Sequence, residues 1–187
     1  MKLFDEYPIL ADDLVCLRRM TPDDAPALEA MVKNEDVYTY LPTFLYEQKY
    51  DDVNTVLARM HDECFLTHES LLLGVYLNDD PDTLVGISEI YNYEEARRKA
   101  SVGTRLAEHV WGRSIATHAT KLMKDYLLNR IGIRIITAHV MVDNSASAAV
   151  LLKNGFFVQD VDYHVLEDWG FPEPVVVDKY VFLAYGD

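Results

Sequence analysis

The spacing of apolar residues along the chain predicts alternating strands and helices. Short and nearly continuous apolar runs predict strands at 14–19, 71–77, 84–90, 158–165 and 175–184. Turn-forming residues at 78–83 join the second and third runs, which predicts an antiparallel hairpin whose loop is slightly longer than the tightest types. A helix is predicted over 21–33, because Thr21 can cap it and Pro22 suits its first position. A second helix, over 51–64, repeats its apolar residues on one face.

The stretch 100–157 follows the order strand, glycine turn, helix, strand, helix. Its elements are expected at 100–106, 111–129, 133–142 and 145–154. A helix that begins after a tight glycine turn directs unpaired N–H groups and a positive dipole end at one point, which suits a phosphate; an ordinary strand-to-helix turn is the alternative. The crossover predicts a parallel strand pair and the hairpins predict antiparallel pairs. The expected fold class is therefore α/β (α+β), a single domain with a mixed, mostly antiparallel sheet flanked by helices.

Composition and charge narrow the class of protein. The 187 residues suggest one domain, and the net charge of −14 argues against a nucleic-acid partner. The acidity is compatible with a cationic substrate such as an amine, although it also serves solubility. No apolar run approaches the roughly 18 residues of a membrane span, and the N-terminus lacks a signal-peptide pattern. Cys16 and Cys64 form neither a disulfide framework nor a metal spacing, so we expect a cytoplasmic protein without a metal or a membrane partner.

Two short motifs within this central stretch carry a family resemblance. They read His109-Val110-Trp111-Gly112-Arg113-Ser114 and, further on, Asn144, Ser147 and Lys153-Asn154-Gly155-Phe156. In this order they resemble the GCN5-related N-acetyltransferase (GNAT) family, nearest the branch that acetylates the N-termini of ribosomal proteins and some small amines. His109 stands where the family has Gln or Arg, and Ser114 where it has Gly or Ala. The resemblance covers 13–187, after a loose lead-in at 1–12, and implies a parallel strand pair that splays apart.

The resemblance implies acetyl-CoA as co-substrate, held in the gap between the splayed strands. The diphosphate is expected on the turn 111–116, where Gly112 permits close backbone approach and Ser114 can add a hydroxyl. The pantetheine arm is expected along the strand 101–106, with the backbone near Leu106 facing the thioester oxygen. The residues expected to bind acetyl-CoA are Leu106, His109, Val110, Trp111, Gly112, Arg113, Ser114, Ile115, Ala116, Asn144 and Lys153.

Some of these contacts have a plainer alternative. Arg113 and Lys153 can be solvated side chains at a helix start and a helix end, and Asn144 can be an ordinary helix cap. We favour a ligand contact for Asn144, because its spacing to Ser147 and Gly155 fits the family.

Two residues are expected to be catalytic, Ser147 and Glu89. The resemblance implies that the Ser147 hydroxyl donates a hydrogen bond to the CoA sulfur, since Leu151 stands where many family members have a tyrosine acid. A small residue that packs a helix against the sheet is the alternative. Glu89 is the expected general base, because it alternates with the apolar residues Val85 and Ile87 on one strand face.

The choice of base has rivals in the same sequence. Glu89 can also point to water, and His109, Glu167 or a chain of waters can take its place. His118 and His139 are expected to be structural, one on a helix and one in a strand. All six histidines are too scattered along the chain to predict a metal site.

The resemblance implies an amine acceptor, and the sequence does not say which amine. A protein N-terminus, a polyamine, an antibiotic and a free amino acid all fit. The aromatic residues over 34–50 either line the acceptor site or pack over the sheet. Two other functions stay open: a CoA-binding sensor without turnover, and an interaction module that binds no nucleotide. The oligomeric state is open too, with a homodimer as one option.

Overall fold

The computed structural model describes residues 2–184, which form one mixed sheet flanked by helices on both faces. Within this part of the chain the strands are β1 Leu10–Ala11, β2 Val15–Arg18, β3 Ser70–Leu77, β4 Asp80–Glu94, β5 Lys99–Leu106, β6 Ile135–Met141, β7 Phe157–Val158, β8 Val165–Glu167 and β9 Val175–Leu183. The helices are α1 Ala25–Val32, α2 Glu35–Tyr38, α3 Val53–Met60, α4 Ile115–Tyr126 and α5 Ser145–Lys153. None of the helices described is both long enough and apolar enough to cross a membrane.

The strand order confirms the predicted fold class. The strands run β1-β2-β3-β4-β5-β6-β9-β7, with β8 also paired to β9, and every pair is antiparallel except β5–β6. The parallel pair holds only from Lys99–Ile135 to Ser101–Thr137. Beyond these residues β5 and β6 continue without pairing to each other, so the predicted splay is confirmed. A ligand can enter the gap between the two backbone edges that separate here.

The hairpin between β3 and β4 is tighter than the sequence predicts. Leu77 pairs with Asp80, so only two residues connect the strands. Residues 81–83, which were expected in the loop, lie in β4, where the pairing with β3 is irregular. Val85 is a second irregularity, because the pairing moves from Leu84 directly to Gly86. Leu84 packs with α1 and α3, whereas Val85 packs on the α4 side.

This bulge changes the face on which Glu89 was expected. Ile87 packs on the same side as α1 and α3, and Glu89 lies two residues further on that face. Val85 lies on the other face, so its predicted alternation with Glu89 is wrong. An extra residue in one strand reverses the side of everything beyond it, and residue spacing alone does not reveal it.

The predicted strand over 158–165 is also wrong. β7 ends at Val158 and β8 begins at Val165, and the residues between them are irregular. The Asp160 carboxylate accepts the backbone N–H of Asp162 at 3.0 Å, a local turn that competes with strand pairing.

The two faces of the sheet carry separate hydrophobic clusters. One cluster lies under α4 and includes Val102, Ala119 and Ile136, and the other lies under α1 and α3 and includes Leu28 and Val56. Residues of both β5 and β6 belong to the cluster under α4, so the two strands that separate are both anchored to that core.

The N-terminal residues take part in this core. Leu3 is fully buried, and Leu10–Ala11 pair with β2. The division into a lead-in at 1–12 and a domain at 13–187 stays a prediction, although the described residues of the lead-in share the core of the domain.

Helix α4 begins at Ile115, within the stretch 111–116 where the sequence places the turn that runs into the helix. Gly112 has φ of +74° and Ser114 has φ of +62°, and neither value fits a right-handed helix. The helix continues as a wider turn over Leu127–Ile131 and ends at Gly132, whose φ is +82°. Residues 111–114 therefore form a turn and not a first helical turn.

The end of α5 is anchored to α4 by one buried amide. The Asn154 side chain donates to Thr117 O at 3.1 Å and to Val150 O at 3.0 Å, and it is 6 % exposed. We expect Asn154→Ala to lower the free energy of unfolding by about 1–2 kcal/mol, because the hydrogen bond that joins α5 to α4 and a second one within α5 are lost. Urea denaturation measures this loss. Asn129→Ala, at an exposed position after α4, is the control and is expected to change it by less than about 0.5 kcal/mol. Equal losses in both variants would contradict the anchoring role.

Candidate active site

The separation of β5 and β6 opens a cavity of about 1560 Å³. This volume exceeds that of an ordinary small-molecule pocket, so it can hold a large ligand and a second one beside it. The predicted site residues that line it are Glu89, Leu106, Val110, Trp111, Gly112, Ser114, Ile115, Ala116, Asn144, Ser147 and Lys153. His109 and Arg113 do not line it and are exposed, so the structure does not bring them together with the others.

The turn before α4 is open on its cavity side. Apart from its two chain neighbours, no residue of the described range 2–184 would lie within 4 Å of a Cβ atom added to Gly112. Within residues 2–184 no backbone N–H of 112–117 donates to a protein acceptor, and the first that does is that of His118, which bonds Ser114 O at 3.1 Å. Six successive N–H groups at a helix start, with the positive end of the helix dipole, make a site that suits a diphosphate.

The indole of Trp111 ties this turn to the end of β5. Its Nε1 donates to Leu106 O at 2.9 Å, and nearly half of the ring is exposed. The Leu106 carbonyl therefore already accepts a hydrogen bond within the protein. An oxyanion that forms from the thioester would in any case need an N–H donor and not a carbonyl. The role of the backbone near Leu106 in facing the thioester stays a prediction.

The start of α5 presents two polar side chains to the cavity. Asn144 caps the helix, since its Oδ1 accepts the Ser147 N–H at 3.1 Å. No protein acceptor takes the Asn144 amide nitrogen or the Ser147 hydroxyl within the part of the chain described, and both residues are half-buried. Asn144 can thus serve as a cap through its oxygen and contact a ligand through its nitrogen. Leu151 is buried in the core, and Lys153 is exposed at the rim.

A buried ion cluster forms another wall of the cavity, and the sequence analysis missed two of its members. Arg105 on β5 donates from Nη2 to Glu47 Oε2 at 2.5 Å and from Nη1 to Glu89 Oε2 at 2.9 Å, and its Nε bonds the other oxygen of Glu47. Burial alone would lower the pKa of Arg105, but Glu47 and Glu89 raise it. One guanidinium between two carboxylates leaves one negative charge, and Glu89 carries it to the cavity.

A second acid lies across the gap, on the opposite wall. Glu167 at the end of β8 contacts His139 on β6, with 2.6 Å between Oε1 and Nδ1, and its other oxygen accepts Trp169 Nε1 at 2.8 Å. All three residues line the cavity. Burial lowers the pKa of His139 despite the charge of Glu167. His139, expected to be structural, therefore lies in the site.

The aromatic residues of 34–50 divide between the two interpretations. Tyr40 and Phe44 are exposed and line the cavity. Tyr38 and Tyr50 instead pack beside the α1 and α3 cluster, where the Tyr38 hydroxyl donates to Glu47 at 3.2 Å and the Tyr50 hydroxyl donates to Glu63 at 2.6 Å. Some of these rings thus form an acceptor-side wall, and others support it.

A group of three residues outside the cavity could in principle ligate a metal. Ligand atoms of Asp12, Asp13 and His118 lie within 4.8 Å of one another. Asp12 already accepts the N–H groups of Leu14 and Val15 and contacts His118 Nδ1 at 2.7 Å, so it joins the turn before β2 to α4. This arrangement agrees with the structural role expected for His118, and the absence of a metal stays a prediction.

Comparison with known sequences identifies the family. The sequence profile of the acetyltransferase (GNAT) domain matches residues 15–157, most of the chain. The chain belongs to the GNAT acetyltransferase family. It is an N-acetyltransferase that uses acetyl-CoA as its co-substrate.

Known proteins are similar to this GNAT enzyme in sequence or in fold. The uncharacterized N-acetyltransferase YoaA of Bacillus subtilis is 26 % identical over 152 residues, which cover 80 % of this chain and 83 % of YoaA. RimJ of Mycobacterium smegmatis, solved with CoA-disulfide, has a TM-score of 0.79 at 21 % identity, covering 98 % of this chain and 90 % of RimJ. Spermidine N-acetyltransferase of Vibrio cholerae, solved with CoA and spermine, has a TM-score of 0.74 at 17 % identity, covering 92 % and 96 %.

Proposed function

We propose that this GNAT enzyme transfers the acetyl group of acetyl-CoA to a primary amine by direct attack within a ternary complex. The observation that carries this proposal is the continuity of one cavity. The same space runs from the open turn at Gly112 to the acidic group at Glu89. Both substrates then lie side by side, and no covalent acetyl-enzyme is needed.

The turn end of the cavity takes acetyl-CoA in this proposal. The N–H groups of 112–117 and the Ser114 hydroxyl hold the diphosphate, and Lys153 at the rim lies near the adenosine end. The pantetheine arm lies along the free edge of β5 and adds to it as a strand would. The Asn144 amide nitrogen, which has no protein acceptor among residues 2–184, ties down the arm from the side of α5.

The chemical step needs a neutral amine and a way for the thiolate to leave. The amine nitrogen attacks the thioester carbon, a C–N bond forms, and the C–S bond breaks as the tetrahedral oxyanion collapses. The Ser147 hydroxyl, which is half-buried and has no partner among the described residues, donates a hydrogen bond to the departing sulfur. Leu151 supplies no acid there, so the thiolate takes its proton through Ser147 or solvent.

The acceptor end of the cavity favours a cationic amine. Glu89 carries the uncompensated charge of its cluster, and Tyr40 and Phe44 offer aromatic faces nearby. Spermidine and the N-terminus of a protein are both amines of this kind, and the names of related enzymes include both classes of acceptor. The cytoplasm and a homodimer stay proposals for location and assembly.

Two measurements on the purified enzyme test this function. We expect acetyl-CoA to bind by calorimetry, and we expect thiol release to depend on an added amine in a panel with spermidine and a peptide that begins with serine. A reaction without amine is the control for hydrolysis. Binding without release for any amine would favour the alternative of an acyl-CoA-binding sensor, and an absence of binding would rule out both functions.

A further inference from the structure

The register of the sheet places two titratable side chains on opposite sides of the gap. Glu89 pairs with Gly103 on β5, and the last parallel pair is Ser101–Thr137. Two residues further along each strand come Gly103 and His139. Because side chains alternate along a strand, His139 shares the face of Thr137, whose hydroxyl bonds that of Ser101 at 2.9 Å.

The residue between the two side chains is a glycine. Apart from its chain neighbours, the one described residue that a Cβ atom added to Gly103 would approach is Tyr91, at 3.8 Å, so no side chain within 2–184 fills the floor between Glu89 and His139. All of these residues line the cavity. An amine that rests over Gly103 would have Glu89 on one side and His139 on the other.

His139 is held in the form that a proton acceptor requires. Its Nδ1 lies 2.6 Å from Glu167 Oε1, and Trp169 holds the other oxygen of that carboxylate at 2.8 Å. A carboxylate can only accept, so the proton of a neutral imidazole lies on Nδ1 and the lone pair lies on Nε2. Burial also lowers the pKa of His139, which favours the neutral ring at physiological pH.

We propose that His139 is the general base of this enzyme, that Glu167 positions it, and that Glu89, fixed by Arg105, orients the incoming ammonium group. This inference rests on the proposed function. Glu89 Oε2 already accepts from Arg105 Nη1 at 2.9 Å, so Glu89 is suited to attract a cation and less suited to carry its proton away.

The proton balance of the reaction fits this assignment. The ammonium gives one proton to His139 Nε2, and the neutral nitrogen then attacks the thioester carbon. The nitrogen of the resulting tetrahedral species loses a second proton, and the thiolate gains one when the C–S bond breaks. The imidazolium returns its proton to solvent, so each turnover forms an amide and a CoA thiol and releases one proton.

The charges around His139 determine the expected pH dependence. Glu167 raises its pKa, whereas burial, Lys179 and Lys99 lower it, and Glu89 and Tyr91 line the same cavity. The free base predominates above this lowered pKa. We therefore expect kcat/KM for the amine to rise with pH through a limb below about 6.5, the ordinary value, and then to level off.

A matched pair of histidine variants tests the proposal. His164 contacts Asp178 at 2.6 Å through Nδ1, the same distance as in the His139 pair, but it lies outside the cavity. With acetyl-CoA and either spermidine or the serine peptide, His139→Gln is expected to lower kcat about 100-fold or more and to remove the acidic limb. The affinity for acetyl-CoA should not change, and His164→Gln should match the wild type in every respect.

Two further variants test the orientation of His139 by Glu167 and the position of the amine over Gly103. Glu167→Gln keeps a hydrogen-bond acceptor but removes the charge, so we expect kcat to fall about tenfold and the acidic limb to move to lower pH. Gly103→Ala fits the structure, because its Cβ contact is ordinary, yet it fills the proposed amine position. It should raise KM for the amine and leave the affinity for acetyl-CoA unchanged.

The outcomes that overturn the proposal are distinct from those that overturn the function. If His139→Gln keeps kcat within about threefold of the wild type with the same acidic limb, the assignment of the base is wrong while the activity stands. If His139→Gln does not fold, an unchanged KM for the amine in Gly103→Ala overturns the placement instead. If the wild type releases no thiol with either amine, the proposed function fails and this inference fails with it.

Discussion

Replacing Arg105 with leucine is expected to lower the free energy of unfolding by about 3–5 kcal/mol, the cost of removing one partner from a buried ion pair. The Arg105 side chain is 3 % exposed and that of Glu47 is 0 % exposed. Without the guanidinium, the Glu47 carboxylate keeps the Tyr38 hydroxyl, 3.2 Å away, as its one hydrogen-bond donor among residues 2–184. Urea denaturation followed by circular dichroism measures the change.

Two comparisons separate the loss of the charge pair from the loss of an arginine in general. Arg130→Leu removes an exposed arginine from the turn after α4 and is expected to change stability by less than about 0.5 kcal/mol. The double variant Glu47→Leu with Arg105→Leu removes both charges, so it is expected to lose less stability than Arg105→Leu alone. A double variant that loses the sum of the two single losses would show that the ion pair is not the cause.

The same cluster shows why part of the site could not be predicted from the sequence. Glu47 and Arg105 are 58 residues apart, and neither belongs to a motif with a regular spacing. A single arginine within an apolar strand is a signal that a buried acid lies nearby, since arginine is rarely buried alone. That signal does not say which of the 31 acidic residues is the partner.

The parts that could be predicted are those that depend on local spacing. Nearly continuous apolar runs predict the strands, and the glycine turn before an amphipathic helix predicts the crossover and its open helix start. The features that could not be predicted depend on contacts between strands. The bulge at Val85 and the contact of His139 with Glu167 depend on the register of the sheet and on the position of a separate strand, which single residue types do not encode.

The turn at Gly112 leads to the second large effect, on the affinity for acetyl-CoA. Gly112→Ala is expected to weaken binding by about 10- to 100-fold, because each hydrogen bond to a charged group contributes about 1.5–3 kcal/mol and 1.4 kcal/mol is a factor of ten. The added methyl group would stand in the open side of the turn, where no described residue other than the chain neighbours of Gly112 now lies within 4 Å. It would keep a diphosphate away from the N–H groups of 112–117.

The matched control for this variant is Gly132→Ala at the other end of the helical segment. Gly112 has φ of +74° and Gly132 has φ of +82°, so alanine is strained at both positions by about 1–2 kcal/mol. Gly132 does not line the cavity, and an added Cβ would lie 3.4 Å from Arg98. Both variants should therefore lose similar stability, and only Gly112→Ala should lose affinity in a calorimetric titration. Equal affinity in the two variants would mean that the turn does not hold the diphosphate, and the acetyl-CoA end of the cavity would have to be placed elsewhere.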